Sequence, residues 1–349
     1  MTKKIAVVLF NLGGPSDLKS VPKFLFNLFN DPAIINLPTI PRFFLAMLIT
    51  LLRTKTARKI YGLIGGKSPI VEITNSQAEA LEKELSFADE SYKAFTIMRY
   101  WHPRARNVVK KIKEYAPDQV IMLPLYPQYS TTTSASSFNE FLKESQKQKL
   151  KSSFKKICCY PDNQEFIAAH SRLIKQTIKK AELSENKNYR LLFSAHGLPQ
   201  SIVDKGDPYV FQVEKSTDLI VKSLQIENLD YRICYQSKVG KMAWTSPSLE
   251  VEIRRAALDQ KSIIVIPIAF VSDHSETLVE LDIEYKKLAA NLGIPLYLRV
   301  PALNSDGYFI SALANICKNT VYNNRICSNG ENGSRICPTK QTKCPNYAN

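Results

Sequence analysis

Short apolar runs alternate along the chain with longer amphipathic stretches. The sequences IAVVLF at residues 5–10 and VIMLPL at residues 120–125 are continuous apolar runs of strand length. Between such runs lie amphipathic stretches of helical length, for example residues 76–86 and 103–115. Strands that alternate with helices are typical of βαβ units, so the pattern predicts an α/β fold with parallel sheets that are covered on both faces.

The two halves of the chain follow the same plan. Residues 5–15 read IAVVLFNLGGP and residues 191–199 read LLFSAHGLP, so each is an apolar strand that ends in a Gly/Pro turn. Two later pairs of strands also correspond, 120–125 with 264–268 and 94–100 with 230–236. Internal similarity of this kind indicates a pseudo-repeat and predicts two Rossmann-like domains.

The predicted domains span residues 1–165 and 166–312, with a helix and a Cys-containing tail at 313–349. The first domain carries about 48 extra residues between its first two strands, an insertion at about residues 22–70. Its apolar core, Phe43–Leu52, is too short to span a bilayer, which needs about 20 helical residues. Because the insertion follows the carboxyl end of a strand, where parallel sheets bind ligands, we expect a lip over a binding cleft.

The charge balance alone does not identify a partner, because well-solvated surface lysines would give the same basic excess. The chain has 47 Lys and Arg residues against 32 Asp and Glu residues, a net charge of +15. This excess favours nucleic acid, an anionic membrane surface or acidic small molecules. The basic residues are scattered and form no recognition motif, so nucleic acid is the least favoured partner. Residues 1–10 lack the apolar core and cleavage site of a signal peptide, so we expect a reducing, cytoplasmic compartment.

Acidic residues and a histidine cluster directly after the strand at 264–268. Asp273 and Glu276 have the spacing of a capping box, which would make the segment an ordinary capped helix. Glu280 extends the same helical face, however, and His274 stands beside it. Three carboxylates beside an imidazole are more typical of a path or site for a divalent cation than of a helix cap alone.

His196 ends the first strand of the second half. A histidine in such a position is often structural. The carboxyl end of a parallel strand is where ligands bind, however, and the ordinary pKa of an imidazole suits a proton acceptor near neutral pH.

Several motifs of the chain resemble those of ferrochelatases and occur in the order of that family, from residue 5 to about residue 310. They are NLGGP at 11–15, IGGKSPI at 64–70, LPLYPQYS at 123–130, SAHGLP at 194–199, YQSKVG at 235–240 with Trp244, and IPIAFVSDHSETLVELDIEY at 266–285. The resemblance implies two chelatase-type domains around a porphyrin cleft, and the activity of a lyase that inserts a metal into the porphyrin.

The resemblance also implies roles for individual residues. His196 would face the pyrrole nitrogens and take their protons, and Glu276 would be the second residue of the metal site. His274 would support Glu276, and Glu280 would continue an acidic row outward. The porphyrin propionates would be bound by three residues, Arg53, Tyr61 and Ser68. The rest of the porphyrin pocket would include Arg99, Tyr100 and Trp244.

The expected substrates are ferrous iron and protoporphyrin IX, with protohaem as the product in the last step of haem biosynthesis. The resemblance places Leu12 at a position where enzymes that act on coproporphyrin carry Tyr. The apolar lip implies a peripheral contact with the inner face of the cell membrane, and other haem-pathway proteins are further potential partners. The alternatives are a coproporphyrin ferrochelatase that makes coprohaem, a cobalt chelatase of related fold, and a porphyrin or haem carrier without turnover.

The tail holds four cysteines, Cys317, Cys327, Cys337 and Cys344, without the C-x-x-C spacing of zinc sites. Some members of the family carry a C-terminal [2Fe–2S] cluster with one ligand at the position of Thr131 here. Since threonine cannot be that ligand, a cluster in this chain would need all four tail cysteines. The alternative is a set of free thiols.

Overall fold

The computed structural model of the chain describes residues 2–86, 90–184, 188–240, 242–322 and 335–346. They form two compact units. The first contains Met1–Cys158, and the second contains Cys159–Ala312 and the described tail. The division lies a few residues before the predicted one at 165. The last helix begins in the second unit, but from Leu313 onward it groups with the first unit.

The first unit is a four-stranded parallel sheet in the order β2-β1-β3-β4, with helices around it. Its strands are β1 Lys4–Asn11, β2 Ser91–Met98, β3 Gln119–Pro124 and β4 Ser153–Lys156. Its helices are α1 Val21–Phe29, α2 Thr39–Gly62, α3 Ile70–Leu85, α4 Ala105–Tyr115 and α5 Ser134–Lys147. Strands β1 and β3 are buried along nearly their whole length, which explains their continuous apolar runs.

The second unit repeats this plan with a parallel sheet in the order β6-β5-β7-β8. Its strands are β5 Tyr189–His196, β6 Tyr231–Gln236, β7 Ser262–Pro267 and β8 Tyr297–Arg299. Its helices are α6 Gln164–Leu183, α7 Gln200–Asp204, α8 Tyr209–Leu224, α9 Leu249–Leu258, a π-helix Glu276–Tyr285, α10 Lys286–Asn291 and the start of α11 Gly307–Tyr322. The predicted α/β fold and its pseudo-repeat are confirmed.

The insertion of the first unit consists of helices α1 and α2, which pack against each other. Helix α2 places Ala46, Thr50 and Tyr61 on its buried side. Most of its other apolar side chains are exposed, with Leu51 at 70 % and Leu52 at 71 %. Across the described ranges no helix is long and apolar enough to cross a membrane.

Candidate active site

His196 is the last residue of β5, a central strand of the second sheet. Gly197 follows it and donates its N–H to the carbonyl of Gln236 at 2.9 Å. A Cβ on Gly197 would lie only 3.0 Å from that carbonyl oxygen, so any larger residue would crowd this close approach. The chain turns here at the carboxyl edge of the sheet and leaves the His196 side chain 39 % exposed, which keeps it accessible to a substrate.

Glu276 forms the partner of His196. His196 Nδ1 lies 2.8 Å from Glu276 Oε2. Glu276 opens the π-helix, a rare helix type that is frequent at functional sites. The structure thus brings together the two residues that were expected to form the metal site, although they are 80 positions apart in the chain.

Ser237, directly after β6, contacts both carboxylates of the site. Its hydroxyl lies 2.6 Å from Glu280 Oε2 and 3.2 Å from Glu276 Oε2, and its backbone N–H donates to Glu280 Oε1 at 2.9 Å. The backbone of Ser237 has a φ of +66°, a left-handed conformation that is uncommon for residues other than glycine. This conformation lets one residue hold two carboxylates.

Gln236 completes this arrangement. Its side-chain amide donates to Glu280 Oε2 at 3.0 Å, and its side-chain oxygen accepts from the Ser194 hydroxyl at 2.7 Å. Neither Gln236 nor Ser237 was predicted as a site residue, although both lie in the YQSKVG motif at 235–240. The available signal was their position at the carboxyl end of a parallel strand.

Asp273 forms neither the capping box considered as an alternative nor part of the expected row of three carboxylates. The helix begins at Glu276, and Ser275, the residue before it, makes no capping bond with its side chain. The Asp273 carboxylate instead binds Arg299 Nη1 at 3.0 Å and Asn304 Nδ2 at 2.8 Å. A guanidinium cation is a stronger partner for a carboxylate than a helix N-terminus, so Asp273 does not join the row of Glu276 and Glu280.

His274 has the expected supporting position. It is buried, its Nδ1 lies 3.0 Å from the carbonyl oxygen of Ser272, and its Nε2 lies 3.9 Å from Glu276 Oε1. A bond from one ring nitrogen to a carbonyl fixes the orientation of an imidazole. His274 is therefore oriented toward Glu276 by the backbone.

The environment separates the pKa values of the two carboxylates. Burial favours the neutral form of Glu276, but the charge and hydrogen bond of His196, with contributions from His274 and Ser237, outweigh it and lower the pKa of Glu276 to about 2. Burial and the charge of Glu276 raise the pKa of Glu280. Burial works against the charged form of His196, but Glu276 and Glu280 outweigh it, so the pKa of His196 is raised. A carboxylate whose pKa is lowered can serve as a fixed anion, and a neighbouring group whose pKa is raised can serve as a proton acceptor.

Trp244 lies beside the turn that follows His196. It forms an isolated β-bridge with Pro199, and its indole N–H donates to the carbonyl of Val239 at 3.0 Å. A Cβ on Gly197 would lie 3.3 Å from the indole ring. The ring is therefore held by the loops at the carboxyl edge of the sheet.

The remaining expected substrate-binding residues belong to the first unit. The guanidinium of Arg53, which is exposed, lies over the ring of Phe29. Tyr61 is buried with its ring against Phe24, and Ser68 is buried with its N–H bonded to the carbonyl of Pro15 at 2.9 Å.

Arg99 and Tyr100 have a common partner in the buried Asp31. The Tyr100 hydroxyl donates to Asp31 Oδ2 at 2.8 Å, and Arg99 Nη2 lies 2.7 Å from the same oxygen. Arg99 also donates to Ser136 and pairs with Glu140 at 3.3 Å. Asp31 lies between α1 and α2, so these bonds join the base of the insertion to the end of β2.

In the described part of the chain, no group of three or more His, Cys, Asp or Glu side chains is spaced to hold a metal ion. Of the four cysteines considered for a [2Fe–2S] cluster, Cys317 is buried on α11 within the first unit, and Cys337 and Cys344 are buried in the tail of the second. Cys327 lies outside the described residues. The cluster therefore receives no support from the structure.

Comparisons with known proteins agree on one family. The family model described as Ferrochelatase matches residues 4–321. The chain is 50% identical to a ferrochelatase of Rickettsia bellii over 98% of this chain and 95% of that protein. It is 48% identical to a ferrochelatase of Pelagibacter ubique over 98% of each chain. It is 53% identical to one from Wolbachia of Drosophila simulans over 90% of this chain and 99% of that protein.

Two solved structures support the fold. SirB from Bacillus subtilis with Fe³⁺ aligns at a TM-score of 0.53 and 11% identity over 91% of this chain and 95% of that chain. The sirohydrochlorin chelatase SirB from Bacillus subtilis subspecies spizizenii, in complex with cobalt, aligns at a TM-score of 0.52 over 92% and 96%. At this identity the likeness shows a shared chelatase fold.

Proposed function

Since this chain belongs to the ferrochelatase family and is therefore a metal chelatase of haem biosynthesis, we propose that its His196–Glu276 pair is where ferrous iron enters protoporphyrin IX. The 2.8 Å contact between a half-buried imidazole and a carboxylate at the carboxyl edge of a parallel sheet carries this proposal. A carrier without turnover needs no such opposed pair.

Insertion replaces two pyrrole protons with one dication, so the site must accept protons and attract a cation. With its low pKa, Glu276 stays ionised and provides the anion that attracts Fe²⁺. The imidazole of His196 takes a pyrrole proton, and Glu280, whose pKa is raised, is a second acceptor. The Ser237 hydroxyl contacts both carboxylates and so offers a proton a path between Glu276 and Glu280.

The porphyrin must also be bound and distorted, because exposing its nitrogen lone pairs means binding the distorted ring best. The indole of Trp244 would form a wall of the pocket. In the first unit, Arg53, Tyr61 and Ser68 would bind propionates, and Leu12 packs against an apolar cluster that includes Tyr61. An apolar side chain at Leu12 favours a vinyl group over a propionate, which supports protoporphyrin IX over coproporphyrin III.

For Arg99 and Tyr100 the contacts favour a different role from direct binding of propionates. Asp31 already pairs with the Arg99 guanidinium and accepts from the Tyr100 hydroxyl. A buried cation with a carboxylate partner has little attraction left for a second anion. Both residues are better placed to hold the insertion in position.

The pair is tested by replacing His196 with Ala and Glu276 with Gln, with Glu284→Gln as a control on the exposed side of the same π-helix. Both site variants should bind porphyrin, followed by fluorescence quenching, but lose anaerobic Fe²⁺ insertion by at least about 100-fold, the scale of a lost acid–base group. The control should retain activity. Near-normal insertion by His196→Ala would refute the proposal.

We further propose that the α1–α2 insertion docks on the inner face of the cell membrane. Exposed apolar side chains in this density are unusual on a monomer and are typical of membrane or protein contact.

Replacing Phe44, Leu48 and Leu51 with Ser should release the protein from phospholipid vesicles and preserve its fold. The matched control replaces Leu183, Val251 and Leu258, exposed apolar residues on other helices, with Ser. Loss of folding in the first variant, with unchanged vesicle binding by its folded fraction, would contradict docking.

A further inference from the structure

Helix α2 changes character along its length on its exposed side. From Ile40 to Leu52 the exposed side chains are almost all apolar, and from Arg53 to Lys59 most of them are basic. An ordinary amphipathic helix separates apolar and polar residues across its width and lies flat in the interface. This helix separates them lengthwise, so its apolar end and its basic end meet different environments.

The surrounding sequence contains no acidic residue. Between Asp31 and Glu72 there are 40 residues with six Lys or Arg and no Asp or Glu, although the chain as a whole has 32 acidic residues among 349. Lys67 pairs with Glu72, and Arg42 donates to the carbonyls of Asn30 and Leu37. In contrast, Lys55, Arg58 and Lys59 have no ion-pair partner within the described ranges. This stretch is complementary to an anionic surface.

The three cations border one hollow. Leu51, Thr54, Lys55, Arg58 and Lys59 line a shallow depression of about 570 Å³ on one side of α2. Arg58 donates its Nε to the carbonyl of Leu18 at 3.0 Å, which fixes the guanidinium beside the hollow. Leu51 lies one residue before the end of the exposed apolar part of the helix, so the hollow lies at the junction of the apolar and basic parts.

The dimensions match one membrane leaflet. At about 1.5 Å per residue, the part of α2 from Ile40 to Leu52 extends roughly 18 Å, close to half of a hydrocarbon core of about 30 Å. If this end enters the leaflet, the next turns of the helix reach the depth of the lipid phosphates. Lys55, Arg58 and Lys59 occupy those turns.

We propose that Lys55, Arg58 and Lys59 bind the phosphate of an anionic phospholipid while the apolar end of α2 enters the leaflet. The site rests on the membrane docking proposed above and adds a lipid class and an orientation to it. Arginine and lysine are the usual side-chain donors to phosphate oxygens, and the Thr54 hydroxyl is not available as a donor because it already donates to the carbonyl of Thr50.

The test uses the full chain and a triple variant, Lys55→Gln, Arg58→Gln, Lys59→Gln. The matched control, Arg106→Gln, Lys110→Gln, Lys111→Gln, removes the same charges from exposed positions of α4 in the same unit. Binding is measured by cosedimentation with vesicles of phosphatidylcholine and with vesicles of phosphatidylcholine and phosphatidylglycerol in equal amounts. Iron insertion into porphyrin dispersed in detergent micelles and thermal unfolding show whether each variant keeps its activity and fold.

We expect the unmodified protein to prefer the anionic vesicles. At roughly fivefold per cation, the α2 variant should bind them about 100-fold more weakly, with little change on phosphatidylcholine. The α4 control should change by much less, and both variants should keep their activity in micelles.

Three results would overturn the lipid site. The first is unchanged binding of the α2 variant to anionic vesicles, and the second is an equal loss of binding in the α4 control. The third is a raised KM of the α2 variant for porphyrin in micelles, which would assign the cations to substrate carboxylates. Failure of docking itself is distinguishable, because the Phe44, Leu48, Leu51 serine variant would then bind both kinds of vesicle normally. If that variant loses binding and the glutamine variant does not, docking stands and the phosphate site falls.

Discussion

At the scale of single residues, the site depends on two nearby carboxylates that have different hydrogen-bond partners and different pKa values. Glu276 faces an imidazole and keeps its charge, whereas Glu280 is held by neutral donors and by the backbone N–H of Ser237. Ser237 contacts both, and it does so with a φ of +66°. A strained conformation that persists beside reacting groups indicates a role in positioning them.

Replacing Ser237 with Gly tests this role, because glycine adopts the same backbone conformation without strain and lacks the CH2OH side chain that contacts the carboxylates. We expect kcat for Fe²⁺ insertion to fall about tenfold, since the loss of one bond to a charged group costs about 1.5 kcal/mol. The KM for porphyrin and the thermal stability should change little. Unchanged kcat with lowered stability would mean that Ser237 has only a structural role.

Glu280 should influence the pH dependence of the reaction. The pKa of His196 is raised by Glu276 and to a lesser extent by Glu280, and proton acceptance needs the neutral imidazole. The acid limb of kcat/KM therefore follows the pKa of His196, and Glu280→Gln, which removes one raising charge, should move that limb to lower pH. A pH–rate profile of both proteins measures the shift. A limb that stays in place, or moves to higher pH, would contradict the assignment.

Sequence reasoning found the members of the site that lie at strand ends or in long motifs. His196 and Glu276 were predicted from such positions and from the resemblance, and the structure brings them into contact. Gln236 and Ser237 were missed because a serine and a glutamine carry no chemical signature of their own. Asp273 was misassigned because its partner Arg299 lies 26 residues away, beyond the reach of any local pattern.

At the scale of secondary-structure elements, the insertion is held to the first sheet by a buried ion pair. Asp31, between α1 and α2, binds Arg99 and Tyr100 at the end of β2, and Asn27 of α1 donates to the carbonyl of Tyr100 at 3.0 Å. Apolar periodicity predicted the helices. It could not predict this attachment, which joins residues 68 positions apart.

A double-mutant cycle tests the attachment. Asp31→Asn and Arg99→Gln should each lower the free energy of unfolding by about 3 kcal/mol, because each removes one charge of a largely buried ion pair and weakens the contacts that remain. The double variant should cost clearly less than the sum of the two, since either single change already breaks the pairing between the two charges. Chemical denaturation gives all three values. Additive costs, with a raised KM for porphyrin in Arg99→Gln alone, would instead indicate direct contact between Arg99 and the substrate.

At the scale of the whole molecule, the two units share one sheet topology but carry different functional features. Both units have a parallel sheet with the same strand order, yet the first carries the exposed insertion and the second carries the His196–Glu276 pair. The repeat was predictable because buried strands have a strong apolar pattern. The grouping of α11 across both units was not predictable, because helix periodicity does not reveal which core the buried face contacts.

The most direct test of the account is anaerobic insertion of Fe²⁺ into protoporphyrin IX and into coproporphyrin III, measured side by side for the unmodified protein and for His196→Ala. We expect a higher kcat/KM for protoporphyrin IX in the unmodified protein, and loss of insertion into both porphyrins in the variant despite retained binding. Preference for coproporphyrin III would contradict the proposed substrate. Full insertion by His196→Ala would contradict the central role of the His196–Glu276 pair.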